Sequence, residues 1–167
     1  MCQFNFKQMK KTVFLFLLGI FATTLHAQDV IKQDDNVIQF GIGAGDGIPF
    51  EITYERCLAD DLFGNDNGAY GLGGYASVYN HKYHGENTSY YTIGVKEYLH
   101  YQFMDNLDTY GSLMLGLKMP NTSSPDHLRF AMGLTAGARY YFDTNVAAYT
   151  EVGYGISNIS VGISVKF

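Results

Sequence analysis

The C-terminal part of the chain alternates between apolar residues and residues that are polar or small. In residues 159–167, every second residue is Ile, Val or Phe, and those between are Ser, Gly or Lys. Residues 128–142 follow the same rule, with apolar side chains at the even positions and Arg, Ala, Gly, Thr or Tyr at the odd ones. A period of two predicts β-strands that have one apolar and one polar face.

The same alternation divides most of the remaining chain into short strands. It is clear in residues 38–43 and 48–55 and weaker in residues 72–78, 91–101, 113–117 and 148–154. Turn-forming residues separate these segments at 45–47, 59–68, 80–88, 105–107, 120–126, 143–145 and 155–158. No helix of useful length is left over. We therefore predict an all-β protein, an antiparallel up-and-down β-barrel of about eight strands.

The first residues have the pattern of a targeting segment. Lys7, Lys10 and Lys11 precede an apolar run at residues 13–21, which ends in small residues at Ala27. The run is shorter than the roughly 20 residues of a spanning helix. We predict a cleaved signal peptide at residues 1–27, with Met1 or Met9 as its start, and a barrel domain at residues 28–167.

Composition and charge narrow the classes of partner. Charged residues make up 16% of the chain, whereas soluble domains average about 25%. The net charge is −5, and the sequence shows no basic stripe of the kind that nucleic-acid binding requires, so we expect no nucleic-acid partner. Cys57 would have no partner for a disulfide once the segment containing Cys2 is removed.

Alternation alone leaves open whether the apolar face covers a core or meets lipid. The polar face combines many Gly, Ser, Thr and Tyr residues with charges of both signs, which suits the crowded interior of a narrow barrel. Enclosed charges need partners. We therefore predict an interior charge network formed by Glu51, Glu55, Arg129, Arg139, Glu151 and Lys166, to which Lys96 and Lys118 are weaker additions.

Aromatic residues and the last strand favour lipid. If the N-terminus is periplasmic, the lower ends of the descending strands carry aromatic residues, as in an interfacial girdle: Tyr54, Tyr101, Phe103, Tyr140, Phe142 and Phe167. The segment Val161-Gly162-Ile163-Ser164-Val165-Lys166-Phe167 resembles the terminal strand of outer-membrane barrels of the small OmpA/OmpX type. That resemblance implies a location in the outer membrane of a Gram-negative bacterium, contact with its lipid, and recognition of Phe167 by the barrel-assembly machinery.

Two features depart from the family pattern. The family has short periplasmic turns, whereas residues 59–68 would make a long one. Glu97 falls on the predicted lipid face, where a charge is unfavourable, and we therefore expect a bulge or register change near Lys96.

Candidate chemistry is sparse. His81 and His84 are too few for a metal site, and residues 65–68 match only part of a calcium loop. No motif links His100 or His127 with Ser112 or Ser124. We expect no catalytic site, no metal site and no cofactor.

The resulting hypothesis is an integral outer-membrane barrel with a structural or surface-interaction role. We expect no enzyme activity, since no catalytic motif was found. We also expect no general diffusion pore, because an eight-strand barrel is filled by side chains. Residues 80–88 and 120–126 would be outer loops for a partner that the sequence does not identify. The alternative is a secreted or periplasmic soluble β-barrel that binds a small apolar ligand inside.

Overall fold

The protein is a single closed sheet of eight antiparallel strands. The computed structural model describes residues 31–45, 47–62, 64, 67–83, 86–121 and 128–167, without the side chains of residues 81–83, 86 and 87. No helix within these ranges is long and apolar enough to cross a membrane. The strands are β1 (Asn36–Ala44), β2 (Phe50–Asp60), β3 (Gly68–Tyr83), β4 (Glu86–Met104), β5 (Leu107–Pro120), β6 (Arg129–Tyr141), β7 (Val146–Tyr154) and β8 (Ile159–Lys166).

Each strand pairs with its neighbours in sequence, and β1 closes the barrel against β8. The closing register runs from Val37 opposite Lys166 to Ala44 opposite Ile159. We call the end that holds Asn36 and Phe167 the lower end, and the opposite end the mouth. The predicted fold class, an antiparallel up-and-down barrel of eight strands, is confirmed.

The side chains that alternate along the strands divide between the outside and the inside of the barrel. Large apolar side chains cover the outer wall, including Phe130 at 69% and Ile93 at 55% exposure. At the lower end, Phe103, Phe142 and Phe167 lie on the same outer surface, where the aromatic girdle was predicted. The outer wall is therefore apolar along most of its height.

The interior is polar, with buried Gln, Glu, Lys, His, Asp, Arg, Ser and Thr side chains. The soluble alternative required apolar side chains inside, around an apolar ligand. The structure contradicts that alternative, because the polar face lines the interior and the apolar face forms the outer wall.

A small apolar cluster closes the lower end beneath the polar interior. Its members are Ile31, Val37, Cys57, Ala69, Tyr141 and Ala147. Cys57 is a buried free cysteine within this cluster. Packing among small side chains explains it better than reactivity does, because its surroundings are apolar.

Two local predictions were wrong. The register passes evenly through Lys96 and Glu97 on both sides, so no bulge lies there and Glu97 stays on the outer surface. The register shifts are instead at Cys57/Ala59 and at Gln102/Met104, both near the lower end.

The second wrong prediction is the outer loop at residues 80–88. Most of that segment is strand, since β3 and β4 pair as far as Tyr83 opposite Glu86. Its residues are mostly polar or aromatic on both faces, so no hydrophobic alternation marks it as strand. The backbones of β3 and β4 nevertheless stay paired through this segment. The other predicted outer loop begins where β5 ends at Pro120, and residues 122–127 lie outside the described residues.

The barrel wall is uneven at the mouth. Pairing of β3 with β4 and of β5 with β6 continues above the last pair of β6 with β7, which is Leu134 opposite Tyr154. Likewise, the last pair of β2 with β3 is Phe50 opposite Val78. The upper parts of β3 to β6 therefore form a raised wall on one side of the mouth.

Candidate functional site

Arg139 is the centre of a charge network that fills the barrel. It points inward from β6 and is fully buried. Its Nη2 atom donates to Glu55 Oε2 at 2.6 Å and to Gln39 Oε1 at 3.0 Å, and its Nη1 atom donates to Asp108 Oδ2 at 3.2 Å. One guanidinium therefore links β1, β2 and β5 to β6.

His100 lies between the same two carboxylates. Its Nδ1 is 2.9 Å from Asp108 Oδ1, and its Nε2 is 2.6 Å from Glu55 Oε1. An ionised carboxylate only accepts hydrogen bonds, so both ring nitrogens must carry hydrogen. With both carboxylates ionised, as their hydrogen bonds from Arg139 favour, this geometry corresponds to the imidazolium form of His100.

A second ion pair lies beside this group. Lys96 Nζ donates to both carboxylate oxygens of Glu151, at 2.7 and 2.8 Å. Tyr110 links the two groups, because its hydroxyl donates to Glu151 Oε1 at 2.7 Å and accepts from Gln39 Nε2 at 3.2 Å. The hydrogen bonds thus form one continuous network across the lumen.

The charges of the network cancel. Its three carboxylates belong to Glu55, Asp108 and Glu151, and its three cations are Arg139, Lys96 and His100. Charges removed from water are tolerated when they are paired and hydrogen-bonded. Neutrality explains how six ionised groups can share one narrow interior.

Aromatic rings complete the filling of the lumen. The Arg139 guanidinium carbon lies 4.4 Å from the centroid of the Tyr110 ring and 5.5 Å from that of Tyr98. Gly137 leaves the space that the Tyr110 ring occupies, since a Cβ at that position would overlap the ring. Small residues on one strand therefore make room for large rings from another.

The predicted interior residues fall at three heights. Glu55, Arg139 and Glu151 belong to the central network. Glu51 lies nearer the mouth and accepts from Ser157 at 2.8 Å and from Ser160 at 3.1 Å. Lys166 lies at the lower end, 3.6 Å from Asp35.

Arg129, which was predicted in the same network, lies apart from it. It is exposed at the top of β6, and no salt bridge joins it to another described residue. Lys118, the weaker addition to the prediction, lies directly opposite Arg129 on β5.

The network has further members that the sequence pattern did not identify, namely Asp108, His100, Gln39 and Tyr110. The alternation of the strands could have identified them. Lys96 and His100 are both at even positions of β4 and so share one face, and Asp108 is the first inward-facing residue of β5. That signal was weak because the outward positions of these strands include Glu97 and Gly111, which interrupt the apolar pattern.

The structure offers no catalytic arrangement for the candidates it describes. Both nitrogens of His100 face carboxylates, and Ser112 Oγ is paired with Thr135 Oγ1 at 2.6 Å. No group of three or more His, Cys, Asp or Glu side chains in the described ranges could hold a metal ion. His84, Asn65, Asp66, Ser124 and His127 lie outside the described residues, as does the side chain of His81.

The closed eight-strand barrel with an apolar outer wall is the fold of outer-membrane barrels. The N-terminal β-barrel domain of Pseudomonas aeruginosa OprF is similar at a TM-score of 0.59 and 17% identity, over 82% of this chain and 100% of that one. A de novo designed transmembrane β-barrel matches at a TM-score of 0.52 and 15% identity, over 82% of this chain and 98% of that one.

No protein-family model matches the chain, and no curated protein matches it either. At such identities the likeness shows the fold. The predicted resemblance to small barrels of the OmpA/OmpX type is confirmed at that level.

Proposed function

We propose that this protein is an integral outer-membrane barrel with a structural or surface-interaction role, and that it is neither an enzyme nor a general diffusion pore. The observation that carries the proposal is the distribution of side chains in a closed barrel. Apolar groups cover the outer wall, and a neutral ionic network fills the lumen.

The outer wall supports membrane insertion. Monomeric soluble proteins rarely expose a contiguous apolar patch larger than about 300–600 Å², whereas here the exposed apolar side chains surround the barrel on all eight strands. Lipid would cover that surface, with the lower-end aromatics at one interface. In this proposal the lower end is periplasmic, the signal peptide directs export, and the assembly machinery recognises Phe167.

The filled lumen supports the absence of a general pore. Arg139 and Tyr98 are almost completely buried, and their neighbours are hydrogen-bonded across the full width of the barrel. A solute would have to break ion pairs in order to pass. Such pairs are costly to separate in a buried setting.

The raised wall at the mouth supports a surface role. The top of the β3–β4 hairpin, from Asn80 opposite Ser89 to Tyr83 opposite Glu86, consists of polar residues and one tyrosine, so it would stand outside the membrane. We place the interaction surface there, together with the segments that join these strands.

Extraction and heat modifiability test the proposed location and closure. After an alkaline wash, the protein should stay in the membrane pellet, and unboiled protein should migrate differently from boiled protein in detergent gels. A protein released by the wash that shows no heat shift would contradict membrane insertion.

Conductance tests the absence of a pore separately. Purified, heat-modifiable protein in a planar bilayer should give no steady open channel. The OprF barrel domain and the designed barrel are suitable fold controls in the same bilayer. Steady conductance from this protein, above that of a bilayer without protein, would refute the filled-lumen argument.

A further inference from the structure

A concave cup at the mouth surrounds the upper part of β6, and both inward-facing residues of β3 to β6 and outward-facing Phe130 and Met132 line it. The cup has a volume of about 250 Å³ and is separate from the central network. It lies where β6 stands above the turn between β7 and β8, so it opens outward. Its polar lining comes from Tyr75, Tyr79, Thr92, Lys118 and Arg129.

Two cations lie side by side in the lining of this cup. Lys118 on β5 is directly opposite Arg129 on β6, and both positions have the inward parity of their strands. Like charges directly opposite each other on neighbouring strands are destabilising. The arrangement therefore favours a compensating anion, and no salt bridge among the described residues supplies one.

Lys118 is held in place by aromatic rings. Its Nζ lies 4.9 Å from the centroid of the Tyr79 ring and 4.8 Å from that of Tyr90, and the two rings are stacked. Contacts of an ammonium with aromatic faces are favourable but leave its net charge in place. The rings thus position the ammonium beside Arg129 and leave its charge in place.

Two inward-facing carboxylates among the described residues have partners outside the cup. Glu151 is bonded to Lys96, and Glu51 accepts hydrogen bonds from Ser157 and Ser160. No salt bridge joins Lys118 or Arg129 to another residue that the structure describes. The described lining of the cup is therefore positively charged, although the chain as a whole has a net charge of −5.

We propose that this cup binds a phosphate or sulfate group that enters from outside the barrel. Arg129 supplies the planar guanidinium that suits a tetrahedral oxyanion, and Lys118 adds a positioned point charge. Thr92, opposite Lys118 on β4, brings a hydroxyl to the same wall. This inference goes beyond the proposed function and does not depend on the surface partner.

Binding of inorganic phosphate is the first test, with a hexose phosphate as a second probe. The refolded barrel in detergent is titrated at fixed ionic strength, with chloride as the competing ion, and binding is followed by calorimetry. A hexose phosphate that binds more tightly than phosphate would indicate a saccharide ligand. Equal affinities would indicate the free anion.

The variants Lys118→Gln and Arg129→Gln should each weaken phosphate binding by about tenfold, because each removes one charge-assisted interaction. Lys166→Gln is the matched control, since it removes one positive charge at the lower end. It should bind as the wild type does.

Stability gives an independent readout. Because each of the two mouth variants relieves like-charge repulsion, both should keep the heat shift and unfold at the same urea concentration as the wild type, or at a higher one. The proposal is overturned if phosphate does not bind above the chloride background, or if the Lys118→Gln/Arg129→Gln double variant binds as tightly as the wild type. It is also overturned if Lys166→Gln weakens binding as much as the mouth variants do.

Discussion

Replacing Arg139 by Met tests whether charge balance stabilises the barrel. The guanidinium is fully buried and contacts both Glu55 and Asp108. Without it, these two carboxylates would share His100 alone, and the network would carry one uncompensated negative charge. Removing one partner of a buried ion pair costs about 3–5 kcal/mol, so the Arg139→Met variant should lose about that much free energy of unfolding.

The double variant Arg139→Met/Glu55→Gln separates charge balance from loss of contacts. It leaves Asp108 with His100 and Glu151 with Lys96, so the network is neutral again. The amide oxygen of the new Gln can still accept from His100. The double variant should therefore be more stable than either single variant, although it lacks more native hydrogen bonds.

Urea unfolding in lipid vesicles measures these differences. It can be followed by gel mobility and by tyrosine fluorescence, because the chain contains no tryptophan. Lys166→Met is the control, because that cation is partly exposed and 3.6 Å from its partner, so the loss should be clearly smaller than for Arg139→Met. The reasoning is refuted if Arg139→Met costs no more than this control. It is also refuted if the double variant is less stable than both singles.

Three further substitutions test the outer wall, the packing of the lumen and a turn. Glu97→Leu should raise the unfolding free energy in vesicles by about 1–2 kcal/mol, because a carboxylate is unfavourable among lipid-facing side chains; a loss would indicate that Glu97 has a partner. Gly137→Ala should cost about 1–3 kcal/mol by displacing the Tyr110 ring, whereas Gly111→Ala, which points into open space, should cost far less; equal losses would count against the packing argument. Asn106 has a φ of 63° in the turn between β4 and β5, so Asn106→Val should cost about 1–2 kcal/mol in urea unfolding and Asn106→Gly should not; equal effects would show that the backbone conformation is unimportant there.

The local pattern of the chain was enough to predict the barrel and its two faces. Alternation depends only on the period of a strand, so residues 128–142 and 159–167 reveal their outward side chains without knowledge of any neighbour. The turns at residues 143–145 and 155–158 could also be predicted, because turn-forming residues act locally. The pattern was lost where both faces are polar, and β3 and β4 were therefore predicted too short.

Only the tertiary structure decided which inward residues meet. Glu55 and Arg139 are 84 positions apart, and Gln39 and Arg139 are 100 apart. Their contact depends on the register of every strand and on closure of β1 against β8, neither of which has a local signature. The same geometry separated Arg129 from the network in which it was predicted and placed it opposite Lys118 at the mouth. Alternation determines the direction of a side chain, whereas the height of that side chain in the barrel is set by pairing across the whole sheet.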